Sequence, residues 1–186
     1  MTVPRLCMMT TMPLIPQVVD AVKIPVMAAG GFGDGRGLAA AFALGAEGIQ
    51  MGTRFIASDE CIAHPNMKAA LINCEERQTQ ATCLYVGNPM RALRNDLTRD
   101  FERLEKEYIA IEDEAARAKK KKEIWDFGVG ATRKGLINGD VERGSLLSGQ
   151  ISGMIKDIKP VKRIIEDIVR EAGEIMGSRL PGRIAK

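Results

Sequence analysis

The chain has 186 residues, 45% of them hydrophobic, enough apolar surface for one domain or one domain with an appendage. Its 27 basic and 24 acidic side chains are well mixed, giving a formal charge of +3, and only 4% of residues are aromatic, which argues against nucleic-acid binding. No uninterrupted apolar run reaches the roughly 18 residues of a membrane span, and residues 1–20 lack the pattern of a secretory signal, so a cytoplasmic protein with no membrane partner is expected.

Ile15, Val18, Val19 and Val22 recur at i, i+3, i+4 and i+7, which predicts a helix with Pro13 and Pro16 in its first turn. The run IPVMA (24–28) is short and apolar throughout, as for a strand covered on both faces. Glycines at 30, 31, 33, 35 and 37 form a turn, residues 38–44 read as an alanine-rich helix stopped by Gly45, and residues 48–51 resume as strand. This order demands parallel strands and right-handed crossovers, the repeat of a β/α barrel or of a doubly wound sheet.

After about residue 56 the regular alternation ends. Phe101, Leu104, Tyr108, Ile111, Ala115 and Ala118 predict one long amphipathic helix over residues 98–124, with the lysines 119–122 as its solvated C-terminal end. Glycines at 128, 130, 135, 139, 144, 149 and 153 suit loops that approach a ligand. Ile164, Ile165, Ile168, Val169 and Ala172 mark one face of a last helix, residues 161–176, behind Pro160.

Chemistry concentrates at the two strand ends. A phosphate can lie against bare backbone N–H groups only where no Cβ blocks its approach, and Gly30, Gly31, Gly52 and Thr53 offer such a place. The glycine cluster lacks both G-x-G-x-x-G and the Lys-Ser/Thr pair of a Walker loop, so neither dinucleotide binding nor triphosphate hydrolysis is supported. In a barrel, a phosphate cradled by adjacent strand ends belongs to the last two strands. Cys7, Cys61, Cys74 and Cys83 show no C-x-x-C spacing and the single histidine, His64, joins no ligand pattern, so free thiols and no metal site are expected. Arg54 is read either as neutralising phosphate or as one half of a structural ion pair.

The segments TTMPLIPQVVDAV (10–22), IPVMAAGG (24–31), LGAEGIQMGTRF (44–55) and AHP (63–65) resemble the nitronate monooxygenases. With RALRN (91–95), LTRDF (97–101), NGD (138–140) and SGQI (148–151), they are also similar to the related flavin-dependent type II enoyl-acyl carrier protein reductases. The resemblance spans residues 4–172 and implies an FMN-containing barrel with a smaller second domain. It implies that Gly30, Gly31, Gly52 and Thr53 bind the FMN phosphate and that His64 is a structural turn residue, while Ser148, Gly149 and Gln150 are expected to line the substrate side of the flavin, because a glycine-flanked polar pair near a barrel mouth can approach a ligand closely. The family's Gly-Gly-His-x-Gly segment, with its catalytic histidine, lies just upstream of Thr-Thr-Met (10–12) and has no match here, so no catalytic residue is assigned and a truncated form is expected.

The fold class expected is therefore α/β: the C-terminal portion of a TIM-type (β/α)8 barrel, its last two strands, followed by a mostly helical, mixed smaller domain. The expected divisions are residues 1–58 for the barrel part, 59–127 for the inserted domain, and 128–186 for a glycine-rich loop and a helix returning to the barrel. The expected activity is oxidation of alkyl nitronates with O2 on FMN. NAD(P)H-dependent enoyl thioester reduction, a non-catalytic fragment needing a partner chain, and a barrel enzyme with another phosphate ligand stay open. A small-molecule substrate is expected, with either a homo-oligomer or a missing N-terminal half as partner.

Overall fold

The computed structural model describes residues 9–184, so Cys7 lies outside the described residues. The described residues divide into two compact units, one of residues 62–153 and one of residues 9–61 together with 154–184. The divisions thus fall at 61/62 and 153/154, where the sequence suggested 58/59 and 127/128.

The first unit in chain order is built on a parallel pair of strands. Helix α1 (Thr11–Ala21) precedes β1 (Met27–Ala29), α2 (Gly35–Ala43) crosses over, and β2 (Gly48–Gln50) returns beside β1. The register pairs Met27 with Gly48, Ala28 with Ile49 and Ala29 with Gln50. Asp34 caps α2 by accepting the Gly37 N–H at 3.0 Å, and Gly45 stops the crossover helix in left-handed backbone, φ 90°, as expected. Pro16 sits inside α1 rather than in its first turn, and its missing N–H costs the helix one internal hydrogen bond.

Ile15, Ala28, Phe32, Ala41 and Ala46 form one buried cluster, with Val19 packed against it. Strand β1 is covered on one face only. Its inward residue Ala28 is buried, while Met27 and Ala29 on either side of it are exposed, so the expected two-sided burial is corrected to the alternation of a half-covered strand.

Helix α3 (Thr53–Ile56) follows β2, and α8 (Val161–Glu174) lies along α2. Gly35 lets the helices approach: a Cβ there would stand 2.5 Å from Glu171 Cβ, and the Gly35 N–H donates to Glu171 at 2.7 Å. Leu38, Ala39, Ile164, Ile168 and Ala172 make the resulting core. Ile165 and Val169, expected on that face, are exposed, because a narrow stripe at i, i+4 and i+8 suffices against one neighbouring helix.

The second unit contains α4 (Pro65–Ile72), the antiparallel pair β3 (Thr79–Thr82) and β4 (Met90–Leu93), α5 (Asp96–Ala110), α6 (Glu114–Gly128) and α7 (Ala131–Leu136). The single long helix expected over 98–124 is two helices. Ile111 is extended, Asp113 caps α6 by accepting the Ala116 N–H at 2.7 Å, and Arg117 donates to the Ile111 carbonyl, so the chain turns back as a helical hairpin. Ala115 and Ala118 are consequently exposed, and Ile124 is the buried residue of α6.

The lysines 119–122 lie in the middle of α6, not at a helix end: Lys120 pairs with Glu107 of α5 and with Glu123, and Lys122 with Asp126. The core gathers Cys83, Val86, Leu97, Phe101, Leu104, Ile124 and Ala131, with Phe127 edge-on to Phe101 at 5.2 Å.

Residues 128–153 belong to this unit, because Asn95 ties them down. Its side chain caps α5 in a reciprocal capping box with Thr98 and donates to the carbonyls of Val141 and Gly144, both at 2.8 Å.

Candidate functional site

Parallel pairing makes Ala29 and Gln50 neighbours, so the turns that follow them, at Gly30–Gly31 and at Gly52–Thr53, leave the sheet from the same edge. Gly30 and Gly31 take φ of 101° and 89°, a left-handed conformation that a side chain would strain. The Gly30 carbonyl accepts the Thr11 hydroxyl at 2.8 Å, which fixes the first turn against α1.

Gly52 precedes α3 at φ −106°, and Thr53 is that helix's first residue. Cβ atoms built on Gly31 or Gly52 meet nothing within 4 Å. Gly30, Gly31 and Gly52 are exposed, and among the described residues their N–H groups donate to no turn, loop or cap partner. Gly30, Gly31 and Gly52 therefore present exposed amides at one end of the strand pair, donors of the kind an oxyanion needs.

Arg54 is nearly buried and turned away from this role. Its Nη1 lies 3.0 Å from Asp157 Oδ1, and its Nη2 donates to the carbonyls of Ala57 at 3.2 Å and Asp157 at 3.1 Å. Of the two readings of Arg54, the structural ion pair is the one formed. It ties α3 to the segment leading into α8. Burial pushes the Asp157 carboxyl up, yet the hydrogen bond from Lys159 and the Arg54 charge outweigh it and hold the group below the usual carboxylate range. The buried Arg54 Nε has no protein partner among the described residues.

Ser148, Gly149 and Gln150 fall in the other unit. The Ser148 N–H donates to the Arg91 carbonyl at 3.1 Å and its buried hydroxyl to Leu146 O at 3.1 Å. The Gly149 carbonyl accepts the Ser152 N–H and hydroxyl, and Gln150 is exposed at the start of a short 3-10 turn, Gln150–Met154. Of the three, Gln150 alone is exposed.

His64 caps α4: its Nδ1 accepts the Asn66 N–H at 3.1 Å, and its ring fills the space beside Gly139, where a Cβ would lie 2.1 Å from Nδ1. It is a turn residue, as its motif implied.

Sequence reasoning missed the arrangement around Cys83. This residue has φ 59°, and its N–H and that of Tyr85 donate to the buried Glu105 at 2.8 and 3.0 Å. Burial, then the Glu105 charge, pushes the Cys83 thiol up to about 11, so it stays protonated at neutral pH. No local pattern signals this, because the Glu105 partner lies 22 residues away on α5.

The strand-bearing unit is a βαβ unit of an α/β fold whose neighbouring strand ends carry exposed glycine amides. Residues 4–171 match the model of the nitronate monooxygenase family. The chain belongs to that family, whose members are flavin-dependent oxidoreductases. It is 36% identical over 168 residues to a probable nitronate monooxygenase of Staphylococcus saprophyticus, covering 89% of this chain and 44% of that protein. Among solved structures it is similar to FabK from Thermotoga maritima, with TM-score 0.84 and 43% identity over 94% of this chain and 52% of that one. It is also similar to nitroalkane oxidase from Streptomyces ansochromogenes, with TM-score 0.72 and 30% identity over 91% and 45%. The chain thus spans about half the length of the relatives it matches.

Proposed function

We propose that this chain carries the phosphate-holding part of an FMN-dependent nitronate monooxygenase, acting on alkyl nitronates with molecular oxygen, and that β1 and β2 are the last two strands of a TIM-type barrel. The observation that carries the proposal is the parallel register of β1 and β2, which sets the exposed amides of Gly30, Gly31 and Gly52 at one sheet edge. The space left open at Gly31 and Gly52 fits a phosphate group. In this reading the N–H groups of Gly30, Gly31, Gly52 and Thr53 hold the phosphate oxygens, and Arg54 keeps α3 in place through Asp157. FMN, when bound, supplies the redox chemistry, and the protein supplies position and electrostatics.

The test compares FMN with riboflavin, which lacks the phosphate, by titrating each with the chain and following flavin fluorescence. At least tenfold tighter binding of FMN is expected, and equal affinities would remove the phosphate assignment. The reaction is tested by mixing the flavin-loaded, full-length form anaerobically with a nitronate and, separately, with NADH: bleaching by the nitronate is expected, and bleaching by NADH alone would overturn that choice.

A second reading, NAD(P)H-dependent reduction of an enoyl thioester, draws on the segments that resemble the enoyl reductases. Two observations favour it: the Arg91 carbonyl accepts the Ser148 N–H, and Asn95 and Thr98 cap one another, so three of those segments form one assembly. The uncovered side of β1 at Met27 and Ala29 supports a further proposal, that another polypeptide segment or a second copy completes the sheet. Size-exclusion chromatography checks this: a monomer with that surface still open to solvent would refute it.

A further inference from the structure

Apart from the strand tips, the unit of residues 62–153 holds a cavity of about 200 Å³ lined chiefly by Cys83, Met90, Phe101, Ile124, Trp125 and Val129. Its floor is rigid. Phe101 and Ile124 are buried in the core, and Cys83 is held in left-handed backbone by the Glu105 carboxyl group, whose two oxygens accept the Cys83 and Tyr85 N–H groups. Gly128 keeps one wall open, since a Cβ there would come within 3.2 Å of the Phe101 ring.

The rim is unusual for a protein surface. Trp125 is 56% and Val129 73% exposed, two large apolar side chains left in water one helical turn apart. On α6, Lys121, Trp125 and Gly128 follow at i, i+4 and i+7, so the ammonium stands on the helix face that borders the cavity. Lys121 Nζ is 3.8 Å from the position of a Cβ on Gly87, next to Asn88, which also lines the cavity. Its neighbours Lys120 and Lys122 are paired with Glu107, Glu123 and Asp126, whereas Lys121 has no carboxylate partner among the described residues.

From an apolar cavity with an unpaired cation at its mouth, we infer that this site binds a medium-chain fatty carboxylate, its alkyl tail among Phe101, Ile124 and Trp125 and its carboxylate against Lys121. Charge complementarity selects the head group and volume selects the tail. An apolar cavity of about 150 Å³ holds a benzene-sized molecule, so this one takes a tail of roughly six to eight carbons. The Cys83 thiol, protonated at neutral pH, adds no negative charge to the cavity. This inference does not depend on the flavin reading, because it uses none of the strand-tip residues.

The chain contains one tryptophan, Trp125, so its emission reports on this site. Titration with octanoate should give a saturable blue shift. From butanoate to octanoate, each added methylene should tighten binding about fourfold until the tail fills the cavity. Octylammonium, with the same tail and the opposite charge, should bind at least tenfold more weakly. Lys121→Glu, on the exposed surface, should reverse that preference with far-UV circular dichroism unchanged, and Gly128→Leu should abolish the response to either. Absence of a saturable response to octanoate, equal binding of the two head groups, or an unchanged preference in Lys121→Glu would overturn the inference.

Discussion

Glycine serves opposite ends at the strand tips and in the loop near residue 140. At the strand tips, Cβ atoms on Gly31 or Gly52 would meet nothing within 4 Å. In the loop near residue 140, a Cβ on Gly144 would lie 2.3 Å from Gly135 Cα and N, and one on Gly135 2.7 Å from Ser145 O. The first pair leaves room for something outside the chain, and the second lets the chain close on itself. A glycine-rich stretch is therefore not by itself a sign of a ligand; what matters is whether the space in front of the missing Cβ is empty.

That contrast can be broken most directly at its closed end. Gly144→Ala forces a methyl group into backbone, and a loss of about 3 kcal/mol or more is expected as a lower urea midpoint. Unchanged stability would mean that the loop is looser than its geometry. At the open end, Gly52→Ala should leave stability within about 0.5 kcal/mol of the parent, since φ is ordinary and the space empty. It should nonetheless weaken FMN at least tenfold while leaving riboflavin unaffected. Gly31→Ala adds about 1 kcal/mol of backbone strain to the same affinity loss. If both variants bind FMN like the parent, the tips are ordinary turns.

The smallest expected effect is an acid dependence in the strand-bearing unit. Asp157, facing Arg54 and Lys159, and Asp167, facing Lys159, Arg163 and Arg170, are both held below the usual carboxylate range. For Asp167 the hydrogen bond from Lys159 is the leading cause. A depressed folded-state pKa stabilises at pH above the unfolded value, and that contribution disappears as pH falls through the folded value. Thermal midpoints should thus drop on acidification into the range below ordinary carboxylate values, and Asp157→Asn should flatten the drop. An identical profile in that variant would show that these pairs contribute nothing measurable.

Much of the strand-bearing unit was legible in the chain. Asp34, the alanine run and Gly45 encode a capped, closely packed and cleanly stopped helix, and the flanking apolar runs encode the strands it connects, because each signal acts within a few residues. The adjacency of Gly30–Gly31 and Gly52–Thr53 followed from the parallel crossover alone. The helical hairpin was not legible. Its apolar spacing runs on past residue 111, and only the Asp113 cap and the Arg117 bond to Ile111 show the break.

What the sequence by itself determined was the local and the periodic: helix caps, the βαβ crossover, the glycine turns and the family motifs. Tertiary structure alone decided which face of β1 is covered, that Arg54 is bound to Asp157, that Asn95 holds the loop 46 and 49 residues away, and that Glu105 fixes Cys83. These depend on groups far apart in the chain whose pairing is set by burial, where an unpartnered polar group is costly and each one is drawn to whatever partner the fold brings within reach.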